Sequence, residues 1–62
     1  MNLPAHITRQ ELSDLVRLTP DQLRKNEKRI GLFAVRVRFN RHLVLYRTKD
    51  ALEIFRRMGF SV

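Results

Sequence analysis

The stretch Leu18-Thr19-Pro20-Asp21-Gln22-Leu23 decides the reading of this chain. Thr19 has the side chain of a helix N-cap, whose oxygen accepts one of the free backbone N–H groups of the first turn. Pro20 follows at the first helical position, where a missing N–H costs nothing. Asp21 sets negative charge against the positive end of the helix dipole. Gln22 completes a capping box with Thr19, and Leu18 and Leu23 enclose the cap as a hydrophobic staple. The stretch predicts a helix over about 20–29, ended by Gly31. Leu23 and Ile30 fall on its inward face, while Arg24, Lys25, Lys28 and Arg29 fall off it.

Working back toward the N-terminus, the same signal occurs once more. Thr8 and Glu11 form a second capping box, with Ile7 and Leu12 as its staple. Leu12, Leu15 and Val16 then make one apolar stripe, which predicts a helix over about 9–17. A three-residue connection joins the two helices, and Ser13 is small where they must approach. His6 is expected to lie in an unstructured N-terminal segment.

Working forward, Phe33, Val35, Val37 and Phe39 alternate with Ala34, Arg36 and Arg38, the pattern of a half-buried strand with one cationic face. Asn40-Arg41-His42 supplies a turn, and Leu43 to Arg47 reads as the return strand, giving a hairpin over about 33–47. Two registers are open. A two-residue loop pairs Val37 with Val44, and a three-residue loop pairs it with Leu45. Thr48 is expected to cap a third helix over about 49–58, whose apolar face is Ala51, Leu52, Ile54, Phe55 and Met58. Gly59-Phe60 resembles a Schellman stop, with Phe60 packing back on Phe55. Phe33, Phe39, Tyr46, Phe55 and Phe60 are assigned to the core, with the Tyr46 hydroxyl outward. The fold class is α+β, in the order α-α-β-β-α with a two-stranded antiparallel hairpin.

Sixty-two residues make a single domain over 1–62. The chain has no cysteine and only two widely spaced histidines, which excludes disulfides and leaves no metal-ligand cluster. Apolar residues at 44% argue against disorder. The longest apolar run is far short of a membrane span of about 20 residues, and no signal peptide opens the chain, so a cytoplasmic location is expected. No serine has a histidine–carboxylate arrangement and no glycine-rich phosphate loop is present, so neither an enzyme, a cofactor nor a small-molecule ligand is expected.

Thirteen Lys and Arg face six Asp and Glu, a net charge of +7. Residues 24–47 hold eight of those cations against one acid, Glu27, and so carry the whole surplus. A polyanion partner bound by the middle of the chain is the leading inference.

A short helix, a tight turn and a second, basic helix is the helix-turn-helix plan. Together with the hairpin, Ile7-Thr8-Arg9-Gln10-Glu11-Leu12, Leu18-Thr19-Pro20 with Leu23-Arg24-Lys25, Ala34-Val35-Arg36-Val37 and Tyr46-Arg47-Thr48-Lys49-Asp50-Ala51-Leu52 resemble the excisionase and MerR-like winged helix-turn-helix family over about 7–58. The resemblance implies double-stranded DNA as partner, with an integrase or neighbouring protomers bound cooperatively on it. Because the chain stops after the third helix, it implies a stand-alone phage or mobile-element member, either a recombination directionality factor or a small transcription regulator. The second helix would read the major groove and the hairpin wing would grip backbone.

The residue chemistry gives each position a role. Gln22, Arg24 and Lys25 sit early enough in the second helix to reach base edges, Arg or Lys suiting guanine and Gln adenine. Lys28, Arg29, Arg36 and Arg38 are expected on phosphates, with Thr19 donating to a phosphate at the helix start. Arg41 at the hairpin tip is placed for a minor groove. Two alternatives stand beside this reading: a basic RNA-binding module, and a small phage-encoded factor that docks on a host enzyme or integrase.

Overall fold

The computed structural model describes residues 3–62. The chain folds as strand β1 (His6–Thr8), helix α1 (Arg9–Val16), helix α2 (Pro20–Ile30), a 3-10 turn (Leu32–Val35), strands β2 (Arg36–Arg38) and β3 (Val44–Arg47), and helix α3 (Thr48–Arg57). It is a small α+β fold with three α-helices and a three-stranded antiparallel sheet in the order β1-β3-β2. Among the described residues, no helix is long and apolar enough to cross a membrane.

Both capping boxes form. Thr8 Oγ1 accepts from the Glu11 N–H at 3.1 Å and Glu11 Oε1 from the Thr8 N–H at 2.9 Å. Thr19 and Gln22 repeat this at 3.1 Å and 2.9 Å. Ser13 of α1 and Leu23 of α2 are both buried. The joint between them turns on Arg17, whose φ of 59° is left-handed, and the Leu18 N–H donates to the Ser13 carbonyl at 3.1 Å. A side chain held there costs about 1–2 kcal/mol of backbone strain, and Arg17 is exposed, so its side chain returns little. Arg17→Gly is expected to stabilise the domain by about 0.5–1 kcal/mol, and raise Tm by about 2–8 °C. A thermal melt reads this directly, and an unchanged or lower Tm would contradict it.

The sheet corrects the expected two-stranded hairpin. His6 is not in an unstructured segment: β1 pairs with β3, His6 opposite Arg47 and Ile7 opposite Tyr46. Ile7, named only as a staple residue, is thereby a core residue of the sheet. The hairpin itself takes the three-residue-loop register, Val37 opposite Leu45.

The first strand of the hairpin is shorter than its alternation suggests. Gly31, with φ 92°, ends α2 and turns the chain into the 3-10 segment, where the Ala34 N–H donates to the Gly31 carbonyl at 3.3 Å. Residues three apart eclipse in such a turn. Leu32 and Val35 therefore face the core while Phe33 and Ala34 face out. From Val35 onward the alternation is inverted. Arg36 lies opposite the fully buried Tyr46, on the inner face, and Val37 lies on the outer face. Phe33 and Phe39 are consequently surface residues, 45% and 69% exposed, and not core.

Thr48 does not cap α3. It is the first residue of that helix, buried, with its Oγ1 donating to the Pro4 carbonyl at 2.6 Å and its N–H to the Ala5 carbonyl at 3.0 Å. The expected Schellman stop forms at the other end. The Phe60 N–H donates to the Phe55 carbonyl at 2.9 Å, the Gly59 N–H to the Arg56 carbonyl at 3.0 Å, and the two phenyl rings meet edge-to-face at 5.1 Å. The core between the helices and the sheet is built on Ile7, Leu12, Leu23, Leu32, Tyr46 and Phe55.

Candidate nucleic-acid interface

The N-terminal turn of α2 carries the residues assigned to base edges. Arg24 Nη2 lies 2.7 Å and Lys25 Nζ 3.2 Å from the two carboxylate oxygens of Asp21, with all three side chains more than half exposed. The Arg24 hydrogen bond, then that from Lys25, holds the Asp21 carboxyl below its ordinary range. Both cations are therefore loosely restrained against one exposed anion, an arrangement that exchanges easily for contacts with a ligand. Gln22 is more constrained. Its Oε1 accepts the Thr19 N–H, so only its amide nitrogen faces outward without a partner. Thr19 in turn spends its oxygen on the Gln22 N–H.

Further along α2, Arg29 donates to Asn26 Oδ1. Lys28 Nζ sits 5.3 Å from the centre of the Phe33 ring, and Arg36 Cζ lies 4.2 Å from the same centre. Phe33 is thus a half-exposed aromatic with a cation from α2 and a cation from β2 over it. Such contacts are worth about 0.5–1 kcal/mol each at exposed sites. They join the helix and the hairpin into one surface.

Beneath that surface lies a polar cluster that charge counting misses. Glu27 is only 5% exposed. Its Oε1 accepts from the Tyr46 hydroxyl at 3.1 Å, and its Oε2 faces Arg9 Nη2 and Arg36 Nη1, each at 3.5 Å. Arg9 Nε donates to the Tyr46 oxygen at 3.0 Å. The cluster ties α1, α2, β2 and β3 together, and among the described residues no buried side-chain polar atom lacks a partner. Arg36, assigned to phosphate, therefore points inward at Glu27 and is about three-quarters buried. The Tyr46 hydroxyl is inside, contrary to its expected outward position. One sequence signal existed for this cluster: Glu27 lies four residues after Leu23, on the inward stripe of α2, where an acid needs a partner.

Burial pushes the Tyr46 phenol above its ordinary value, more than the neighbouring Arg9 lowers it. A raised folded-state value means that stability is unaffected below the unfolded value and falls as pH rises through the folded one. Tyr46 is the single tyrosine of the chain. An ultraviolet titration is expected to show less tyrosinate than a free tyrosine has at the same pH, with the curve displaced to higher pH. A simple titration curve of the folded protein at the ordinary position would contradict the buried hydroxyl.

The hairpin carries the remaining cations. Arg38 and Arg41 are exposed and have no acidic partner among the described residues. Asn40 shapes the loop: its Oδ1 accepts from the His42 N–H at 2.8 Å and the Leu43 N–H at 2.9 Å. Arg56 and Arg57 on α3 lie instead against Glu53, at 3.7 Å and 3.4 Å. Among the described residues, no group of three or more His, Cys, Asp or Glu could hold a metal ion.

Of the assigned residues, Arg24, Lys25, Lys28 and Arg29 share the outer side of α2, and Arg38 and Arg41 lie at the hairpin end, with Phe33 and Arg36 bridging the two. No family model matches this chain, and neither does any curated protein or solved structure.

Proposed function

We propose that the protein binds double-stranded DNA as a winged helix-turn-helix module, acting as an excisionase-like directionality factor or a small phage-type transcription regulator. The observation that carries the reading is the contact of Lys28 and Arg36 with the Phe33 ring, which ties the basic side of α2 to the base of the hairpin. Four of the six acids are meanwhile diverted. Glu27 is buried, and Asp21, Asp50 and Glu53 each lie against arginine, Asp21 with Lys25 as well. A surface of this kind, with an eleven-residue helix at its centre, suits a duplex major groove and the phosphates beside it.

In this reading α2 lies in the major groove. Arg24 and Lys25 leave Asp21 for base edges. Gln22, with its carbonyl held by the Thr19 cap, offers only N–H donors. These suit guanine N7 and O6, or thymine O4, better than the paired donor and acceptor of adenine. Lys28, Arg29 and Arg38 contact phosphate, and Arg41 enters the minor groove. Arg36 contributes by packing under the surface, as part of the Glu27 cluster.

Selection from a random duplex pool, followed by footprinting, tests the reading. It is expected to return a short consensus site with guanine under the start of α2 and protection that extends to one flank. Retention of structured or single-stranded RNA in preference to any duplex would replace DNA with RNA as the partner. Recovery of duplexes with no shared sequence would remove the base-reading role of α2.

A further inference from the structure

We propose that Phe39 is an apolar wedge that enters a base step and kinks the duplex where the hairpin meets the minor groove. This rests on the DNA-binding reading above. Four phenylalanines and one tyrosine are present, and four of these five rings have a use within the fold. Phe55 and Phe60 stack on each other, Tyr46 is buried on Glu27, and Phe33 lies under two cations. Phe39 alone is left, 69% exposed at the start of the hairpin loop.

Its position is fixed. The Phe39 and Asn40 N–H groups both donate to the Leu43 carbonyl, at 3.1 Å and 3.3 Å, and the Asn40 side chain closes the loop from within. The ring is therefore held out in water by a pinned turn. Leaving a phenylalanine exposed forgoes burial free energy of several RT. Arg38 and Arg41 flank it without acidic partners, so the segment Arg38-Phe39-Asn40-Arg41-His42 combines a projecting ring with cations and polar groups. That is the chemistry of minor-groove binders, in which an apolar side chain unstacks a base step while arginine and asparagine hold the groove. Absence of carboxylates and the two flanking arginines favour this over an apolar protein partner.

The test uses a duplex of the selected sequence, labelled at both ends for energy transfer and carrying 2-aminopurine at the step nearest the footprint edge. Wild-type protein is expected to bend it by about 20–90°, and to raise the 2-aminopurine fluorescence. Phe39→Ala is expected to lose both signals and about tenfold in affinity, with an unchanged salt dependence because no charge is removed. Phe39→Leu keeps an apolar wedge and is expected to retain most of the bend. If Phe39→Ala binds and bends as wild type does, the wedge is overturned while the DNA reading stands. If wild-type protein binds no duplex, both fail. Loss of single-strand binding in Phe39→Ala with duplex binding untouched would make the ring a stacking platform for single strands and also overturn the wedge. Phe39 is on the surface, so unchanged circular dichroism of both variants is the folding control.

Discussion

Glu27→Ala is expected to cost about 3 kcal/mol of stability, which is about a third or more of the total for a domain of this size. At about 0.05–0.15 kcal/mol per residue, a chain this short has only about 3–9 kcal/mol in total. Removing Glu27 deprives the Tyr46 hydroxyl of its acceptor and leaves two arginine side chains without their anion. Unpaired buried charge is the costly part of such a change, commonly about 3–5 kcal/mol. The lower end applies because Arg9 and Arg36 retain about a quarter of their exposure and can turn to water. Glu27→Gln keeps the volume and an acceptor for Tyr46, and is expected to cost about 1–2 kcal/mol. Urea denaturation followed at 222 nm measures both. Equal, small losses for the two variants would mean that the cluster is solvated and does not hold the sheet to α2.

The second large effect concerns affinity and divides the basic surface in two. Arg24→Ala with Lys25→Ala is expected to lose sequence preference, since each base contact is worth about 1–3 kcal/mol of discrimination. Affinity for unrelated duplexes should change less. Arg38→Ala with Arg41→Ala is expected to weaken every sequence to a similar degree, and to flatten the slope of log K against log salt by about 1.8, the contribution of two cations that each neutralise one phosphate. All four side chains are exposed, so folding should be unaffected. Competition binding with the selected site and a scrambled one separates the two outcomes. Sequence-blind losses from both pairs would mean that α2 is not the reader.

The helices were legible because their signals are local. Thr8 with Glu11 and Thr19 with Gln22 specify two helix starts within four residues each, and Gly59-Phe60 specifies an end. What the sequence could not show depends on distant partners. β1 is three residues long and exists because Ile7 lies opposite Tyr46, thirty-nine positions away. The face of β2 differs from its sequence pattern for the same kind of reason. Phe33 to Phe39 alternates as a strand should, but Gly31 places a 3-10 turn first, and the buried carboxylate of Glu27 draws Arg36 inward. With Arg36 facing in, the pleat of the strand puts Val37 outside, and Phe39 beyond it is exposed, against the ordinary preference of those residues. The basic character of the middle of the chain was legible from charge alone. Which of its cations are free and which are spent inside was not, because the place of Glu27 on the inward stripe of α2 asks for a partner without naming Tyr46, Arg9 and Arg36 as the ones around it.

The most direct test of the account is the salt dependence of duplex binding by the wild-type protein. Lys28, Arg29 and Arg38 on phosphate, Arg41 in the minor groove and one of Arg24 and Lys25 in the major groove together neutralise about five phosphates, and hence give a slope near −4.5. Between 50 and 200 mM salt, that slope predicts a fall in affinity of about 500-fold. An isotherm that does not move across this range would contradict the claim that α2 and the hairpin form one surface for a nucleic-acid backbone.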